Sequence, residues 1–530
     1  MAEKFSSGIS PAAMFLIQAR EKREQWEAGR ATSAHIQVQA LVGIFSYLYE
    51  RVRTFVEFPE EHLIRRLAIE RILKRRTMFS IERGDDFARS LITELITARY
   101  LPNDWVPEGA IANLAAIVAK YQALARGLKG KISGGQDLCL VLASREIEEA
   151  LLPHFEDAAL VSCAVKVLAQ TALAGDLSLA IRPLLLEVAV RQTLLREDQN
   201  TISFALLKNL VPEFSNFGAP SPEAVVEAMD FIKRLLRHPA LPFLNTRART
   251  ARPIFLLVQA AFLHVDQEIL EQGERHRDLE LKIQDIIFER FEKAKKARFW
   301  SIIRVLIYIF LSKVLLLLLL ELPYEKYLAG GIQTLPIIIN LVTPPLFILI
   351  LTSGVRSPKV KAVSSMIQEV TAVLREGRFA EAGKRLMRQQ RVKHNPFFQG
   401  LFWSLYALFS FAILGAVGYG IARLKFSAFG LVIFYTFMSL VGFFGYRIRA
   451  SFADAVPLRI REPLFVTFFD LLFLPFMHLG RYMARTFQKI NAVVIFLDML
   501  IEVPFKAFFG VMEDWLTFVK EKKEDITRDS

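Results

Sequence analysis

Four polar residues stand inside strongly apolar stretches of this chain: Lys313, Asn340, Asp470 and His478. A lysine at the centre of a bilayer span costs about 2.5–3.5 kcal/mol on insertion scales, so its presence asks for a reason. The six leucines Leu315 to Leu320 offset roughly that much. Lys313 is then either a buried cation in an ion path or in a pair, or a side chain that snorkels to the head groups. Asp470 is the nearest acid in kind to pair with it. Asp470 and His478 are eight residues apart, two turns of one helix face, and could relay protons because imidazole titrates near neutrality. The plainer alternative leaves His478 at the head groups and Asp470 on a neighbouring cation. Pro344-Pro345 lie in the same apolar segment as Asn340 and are expected to break or kink it, since neither ring nitrogen can donate a hydrogen bond.

Conventional catalytic patterns do not accompany these residues. HExxH, GxSxG, GxGxxG and the P-loop pattern are absent from the sequence, and Gly130-Lys131-Ile132-Ser133-Gly134-Gly135 reads as a turn. No catalytic residue, cofactor-binding residue or metal set is assigned, and no cofactor is expected. The two cysteines, Cys139 and Cys163, have no CxxC or Cys/His spacing, which argues against a disulfide- or zinc-built fold.

The chain of 530 residues is 53% hydrophobic and 23% charged. That excludes a disordered or collagen-like protein. Its apolar residues accumulate after Phe299, so the reading is a membrane protein with a large front domain. Up to Arg298 there are 40 basic and 38 acidic residues; beyond it there are 27 and 16. A basic excess that travels with the membrane half suits anionic head groups, and no nucleic acid is expected as a partner. Lys293, Lys295, Lys296 and Arg298 at the junction, with Arg447 and Arg449 farther on, are the candidate head-group contacts. The small cluster Arg71, Lys74, Arg75 and Arg76 reads as a solvated helix face.

Elements follow from the apolar spacing. The fold class is all-α: a cytosolic helical domain over 1–264, a stalk helix over 265–298, transmembrane helices within 299–479, and an amphipathic interfacial helix with a polar tail over 480–530. In the front domain helices are expected at Ala12–Gly29, His35–Phe58, from Pro59 onward, Asp85–Tyr100, Pro107–Leu128, Glu146–Phe155 with a continuation to Leu173, Leu177–Leu195, Ser203–Leu210, Pro222–Arg237 and Arg252–Val265, with few strands. Glu274 to Leu322 contains neither glycine nor proline, so stalk and first span form one continuous helix. Spans are expected near 303–320, 335–351, 397–421 and 426–446; the segment 463–479 either crosses or lies in the interface. The segment Arg356–Lys393 holds ten Lys/Arg against three acids, while the loop Glu321–Thr334 holds one Lys and two Glu. The front domain and the basic segment are therefore expected together on the cytosolic side. In the tail, Asp498, Glu502 and Lys506 form one polar stripe, which fits a helix lying along the membrane.

The segment Tyr49-Glu50-Arg51-Val52-Arg53 to Phe58-Pro59-Glu60-Glu61-His62-Leu63, continued by Arg65-Arg66 and Ile69 to Arg76, resembles a stretch of bacterial multi-pass membrane proteins of unassigned function. The tail Glu502-Val503-Pro504-Phe505-Lys506 to Glu513-Asp514-Trp515 is similar in kind. The resemblance covers about a tenth of the chain and implies a bacterial inner membrane. Two functions are expected to compete, ahead of a third, a membrane enzyme acting on lipid at the basic cytosolic face. One is a non-enzymatic scaffold that recruits a protein partner to an anionic bilayer. The other is a transporter or channel, which with so few spans would work as a homo-oligomer.

Overall fold

Periodic apolar residues and turn chemistry shape each helix in the computed structural model, which describes residues 9–38, 64–79, 84–131, 134–170, 181–215, 220–265, 276–327, 331, 333–352, 360–380, 396–455 and 464–489. The chain divides into two compact units, Ala12–Arg249 with Ile490–Ser530, and Met1–Pro11 with Thr250–Lys489. The fold is all-α. Among the described residues there is no strand, only an isolated bridge between His35 and Pro107.

The first unit contains α1 (Met14–Ala31), α2 (Ile64–Phe79), α3 (Gly84–Thr97), α4 (Ala110–Leu128), α5 (Gly135–Leu151), α6 (Phe155–Ala169), α7 (Arg182–Val190), α8 (Gln199–Leu210) and α9 (Pro222–Leu236). Helix starts carry recognisable signals. Asp85 and Asp86 open α3, where the helix dipole favours acids. Asp198 caps α8 by accepting from the Thr201 N–H at 3.0 Å. Pro222 occupies the first turn of α9. Neighbours pack in sequence order, α3 on α4 and α4 on α5, with α1 against α6 and α2 against α5. Leu91, Ile92, Leu95, Leu114, Leu124, Ile147, Leu160 and Leu207 are completely or almost completely buried between them.

Three sequence expectations change here. The helix expected over Glu146–Phe155 begins earlier, as α5 from Gly135, and ends at Leu151, and its expected continuation is a separate helix, α6, that starts after Pro153. The start of the expected His35–Phe58 helix is extended instead, because Ile36 N–H donates to Val106 O at 2.9 Å; residues 39–58 lie outside the described ones. The helix expected from Arg252 is α10 (Leu241–His264), which begins eleven residues earlier, tolerates Pro253 inside it, and carries the chain from one unit into the other.

The second unit begins with the end of α10 and continues into α11 (His276–Leu316), a π-helical turn (Leu317–Glu321) and α12 (Leu322–Tyr327). Together these make one helical run of 51 residues from Arg277 to Tyr327. As expected, the basic junction Lys293–Arg298 does not interrupt it. Then come α13 (Thr334–Thr352), α14 (Val360–Glu376), α15 (Pro396–Arg423), α16 (Ala428–Ala455) and α17 (Leu464–Lys489). Among the described residues four helices are long and apolar enough to cross a membrane: 277–327, 334–352, 400–423 and 428–448. They share with α17 a core of Ile309, Phe347, Ile348, Ile413, Phe434, Val441 and Phe476.

The base of α11 is not a bare stalk. Leu279, Ile283, Ile287 and Phe291 are buried, and α14 packs on this helix. α14 lies within the basic segment that sequence reading treats as a loop. Its apolar stripe Val363, Ile367, Val370 and Val373 is buried. Gly377, at φ 67°, ends it in the left-handed region, its N–H returning to Val373 O at 3.1 Å. Phe379 then meets Phe255 of α10 edge-on at 5.8 Å, and Ser10 Oγ donates to Val373 O at 3.0 Å.

α13 passes through Pro344-Pro345 as a continuous helix, so of the expected break or kink the break does not occur. Flanking contacts with α11 and α16 hold it, which is how spans accommodate missing N–H donors. α17 runs to Lys489, so residues 480–489 extend this helix instead of opening an interfacial one. It packs on α16 through a small-residue seam. A Cβ on Gly480 would lie 2.0 Å from Ser439 O, and one on Gly442 would lie 3.5 Å from Met477 N. The Asp498, Glu502, Lys506 stripe lies outside the described residues.

Candidate functional site

Lys313 is 1% exposed. Its Nζ lies 3.1 Å from Glu321 Oε2 and 4.9 Å from the Phe437 ring centroid. Glu321, 2% exposed, accepts at Oε1 from Asn340 Nδ2 at 2.6 Å. Lys313, Glu321 and Asn340 thus form one buried polar group held by α11, the π turn and α13.

The π turn explains how Glu321 reaches Lys313. Eight α-helical residues turn through about 800°, about 80° past the starting face. One residue absorbed by a π turn removes about 100° of that and returns the two side chains to within about 20°. Without it, Glu321 would face a different neighbour. Pairing offsets the desolvation of both ions, and the Asn340 amide and the Phe437 ring add to it.

A second carboxylate follows one turn later. Glu325 is 5% exposed, and its Oε1 accepts from Ser427 Oγ at 2.6 Å. Ser427 Oγ in turn accepts the Gly430 N–H at 3.1 Å. A Cβ on Gly430 would sit 3.2 Å from Ser427 Oγ and 3.9 Å from Glu321 Oε1. Asn340 Oδ1 is buried and has no hydrogen-bond partner.

Aromatic residues mark the depth. Trp300 and Tyr327 are exposed at the two ends of the apolar part of the run, in the manner of interfacial belts. The 27 residue steps from one to the other rise about 40 Å, close to a bilayer with its head groups. Lys313 falls at the middle.

Among the four intramembrane candidates, Lys313 and Asn340 therefore meet, through Glu321, which sequence reading assigned to a loop. The partner described for Lys313 is Glu321. Asp470 belongs to α17, and its side chain is outside the described ones. His478 is exposed, with its ring 5.7 Å from that of Tyr406. At the junction, Lys293 pairs with Glu289 at 2.5 Å and Lys295 with Glu292 at 3.6 Å; Lys296 is exposed and Arg298 half-buried. Arg447 is exposed on α16, and Arg449 lies two residues farther along the same helix.

Polar clusters of the other unit have structural partners. Lys120 Nζ donates to Glu146 at 2.6 Å and to Phe214 O at 3.1 Å, and Tyr121 donates to the same carboxylate at 2.6 Å. Burial first, then the Glu146 charge, pushes the Tyr121 phenol well up. In the basic cluster, Arg75 pairs with Glu94, Lys74 lies 3.9 Å from Asp137, and Arg71 reaches Tyr100 Oη at 3.4 Å. Burial pushes Cys139 up to about 11 and Cys163 up to about 12, which makes both poor nucleophiles. Among the described residues no group of three or more His, Cys, Asp or Glu could hold a metal.

The signal for Glu321 and Glu325 was present in the sequence as two acids at i,i+4 closing a stretch free of glycine. No family model matches the chain, and no curated protein or solved structure is detectably similar to it.

Proposed function

We propose that the chain is a membrane-anchored, non-enzymatic scaffold or assembly protein of the bacterial inner membrane. Its multi-pass helices fix a helical domain, which binds a protein partner, on the cytosolic side. The observation that carries this reading is the braced base of α11: a helix from between two spans, α14, returns to pack on it. Such packing requires α14 and the base of α11 to share one side of the bilayer, and the ten Lys/Arg of Arg356–Lys393 favour the cytosolic side. The exposed Lys296 and Arg447 are suited to anionic head groups. Photo-crosslinkers placed in the full chain at the exposed Glu24, Arg89 and Glu227 should capture discrete protein adducts in native membranes. Absence of adducts from all three positions would sink the scaffold.

A second reading, an oligomeric transporter or channel, draws support from the meeting of Lys313 and Asn340 at Glu321. Ionisable residues gathered inside a span bundle commonly belong to ion or proton paths. Solute or ion flux in proteoliposomes, lost in Lys313→Leu, would favour it over the scaffold.

A further inference from the structure

Aromatic residues of α15 and α16 reach one level. Tyr406 lies about 26 Å along α15 from Arg423, and Tyr446 about 27 Å along α16 from Ala428, both measured from the hairpin that joins the two helices. Each distance is close to the thickness of a hydrocarbon core, about 30 Å, so both rings stand at the interface away from that hairpin. Tyr446 and Trp403 are exposed there, and Trp403 meets Tyr406 edge-on at 5.9 Å. α17 adds cationic and donor side chains at the same level. The exposed His478 has its ring 5.7 Å from that of Tyr406. Arg481, one turn farther along α17, holds its guanidinium carbon 5.5 Å from the centre of the Tyr446 ring. Gly480 permits this reach: having no Cβ, it lets the α17 backbone lie against Ser439 O of α16.

The fold supplies no counter-charge to this arginine. Among the described residues Arg481, half-buried, has no carboxylate partner. The sequence holds no acid between Glu381 and Asp454, a stretch that covers all of α15 and α16 up to its last turn. On α17 the single acid is Asp470, about three turns before Arg481. The Tyr446 ring attracts the guanidinium by its charge and leaves the N–H donors without a carboxylate or carbonyl acceptor. What the site lacks is an anion with acceptor oxygens, at the depth where a bilayer carries its phosphates.

We propose that Arg481, His478 and Tyr446 form a binding site for the phosphate of one anionic glycerophospholipid, with the exposed Arg447 at its rim. The guanidinium fork matches two phosphate oxygens, which a lysine could not do. His478 offers a ring N–H in either protonation state. Leu479, exposed beside them, gives an acyl chain an apolar surface. The site rests on the membrane-spanning and anionic-bilayer parts of the reading above and is independent of its protein partner.

The test is native mass spectrometry of the full chain released from nanodiscs of equal phosphatidylglycerol and phosphatidylcholine. The wild type should retain phosphatidylglycerol in preference, and Arg481→Gln should lower that preference about tenfold, as expected for one charge-assisted contact. Lys296→Gln, which removes the same charge from α11, should leave it unchanged. Should Arg481→Gln fail to fold, Tyr446→Leu removes the ring and no charge, and should weaken the preference about threefold. Equal retention of the two lipids, or a preference untouched by Arg481→Gln and Tyr446→Leu, overturns the site. So does an equal loss in Lys296→Gln, which would reduce it to bulk attraction, and displacement of the lipid by millimolar inorganic phosphate, which would make the ligand a free anion. A chain that retains neither lipid undoes the membrane reading as well, whereas equal retention undoes the site alone.

Discussion

Lys313 and Glu321 form an ion pair across a π turn, eight residues apart in sequence and 3.1 Å apart in space. Removing one member of a buried pair strands the other, at about 3–5 kcal/mol. Lys313→Leu and Glu321→Leu should therefore each destabilise the protein by that order. The double variant should recover much of the loss, whereas Lys313→Leu with Asp470→Leu should not. Thermal unfolding in lipid nanodiscs reads all four, and recovery only with Asp470→Leu would refute the pair.

The α16–α17 seam predicts a sharp difference between glycines. Gly480→Ala should destabilise by about 2 kcal/mol or more, because its Cβ would fall 2.0 Å from a backbone oxygen. Gly400→Ala, with nothing within 4 Å of its Cβ, should be neutral or slightly stabilising. Equal melting shifts for the two would show that the helices are farther apart.

Topology can be read by thiol labelling. Ser365 on α14 and Tyr327 at the end of α12 are both exposed. Cysteines at these positions should label from opposite faces of sealed vesicles. Labelling from one face would contradict both the brace and the orientation drawn from charge.

That experiment is clean if the native thiols stay silent. Burial raises the pKa of Cys139 to about 11 and of Cys163 to about 12, so the unfolded chain releases these protons first as pH rises. The stability they contribute is intact below the ordinary thiol range of about 8.5 and is lost as pH climbs toward those raised values. Neither thiol should react with a disulfide reagent near neutral pH until denaturant is added. Stability of the Cys139→Ala, Cys163→Ala double variant should fall less steeply above about pH 9. Rapid native labelling or an identical alkaline slope would disprove this.

Spin labels at Asp278 and Phe310 should lie about 48 Å apart, the rise of 32 helical residues. Glu289→Pro should shorten and broaden that distance by removing a backbone donor and clashing with the preceding turn. An unchanged distance distribution in the proline variant would mean that the helix is already interrupted there.

The all-α fold and the long helix were legible because apolar period and the absence of glycine and proline act locally. Lys313 and Asn340 were legible for a similar reason: a polar residue in an apolar run announces its cost. Glu321 was not, because its face depends on a π turn that leaves no periodic trace, and position alone puts it in a loop after the leucines. The stripe Val363, Ile367, Val370, Val373 carried a helical signal, but the basic residues around it invited reading for orientation rather than structure. α5 was read late because Gly135 through Leu142 contains turn-forming and helix-forming residues together, and only packing on α4 decides between them.

The brace on α11 has a consequence for synthesis. The apolar stripe ending at Phe291 leaves the ribosome long before Val363, a buried residue near the start of α14, exists. At 5–20 residues per second the interval is about 4–14 s, and two apolar segments must also be delivered to the bilayer meanwhile. During that time the stripe is exposed hydrophobic surface on a tethered nascent chain. A chaperone or the insertion machinery would find it there, and α14 would have to displace that guest to complete the fold.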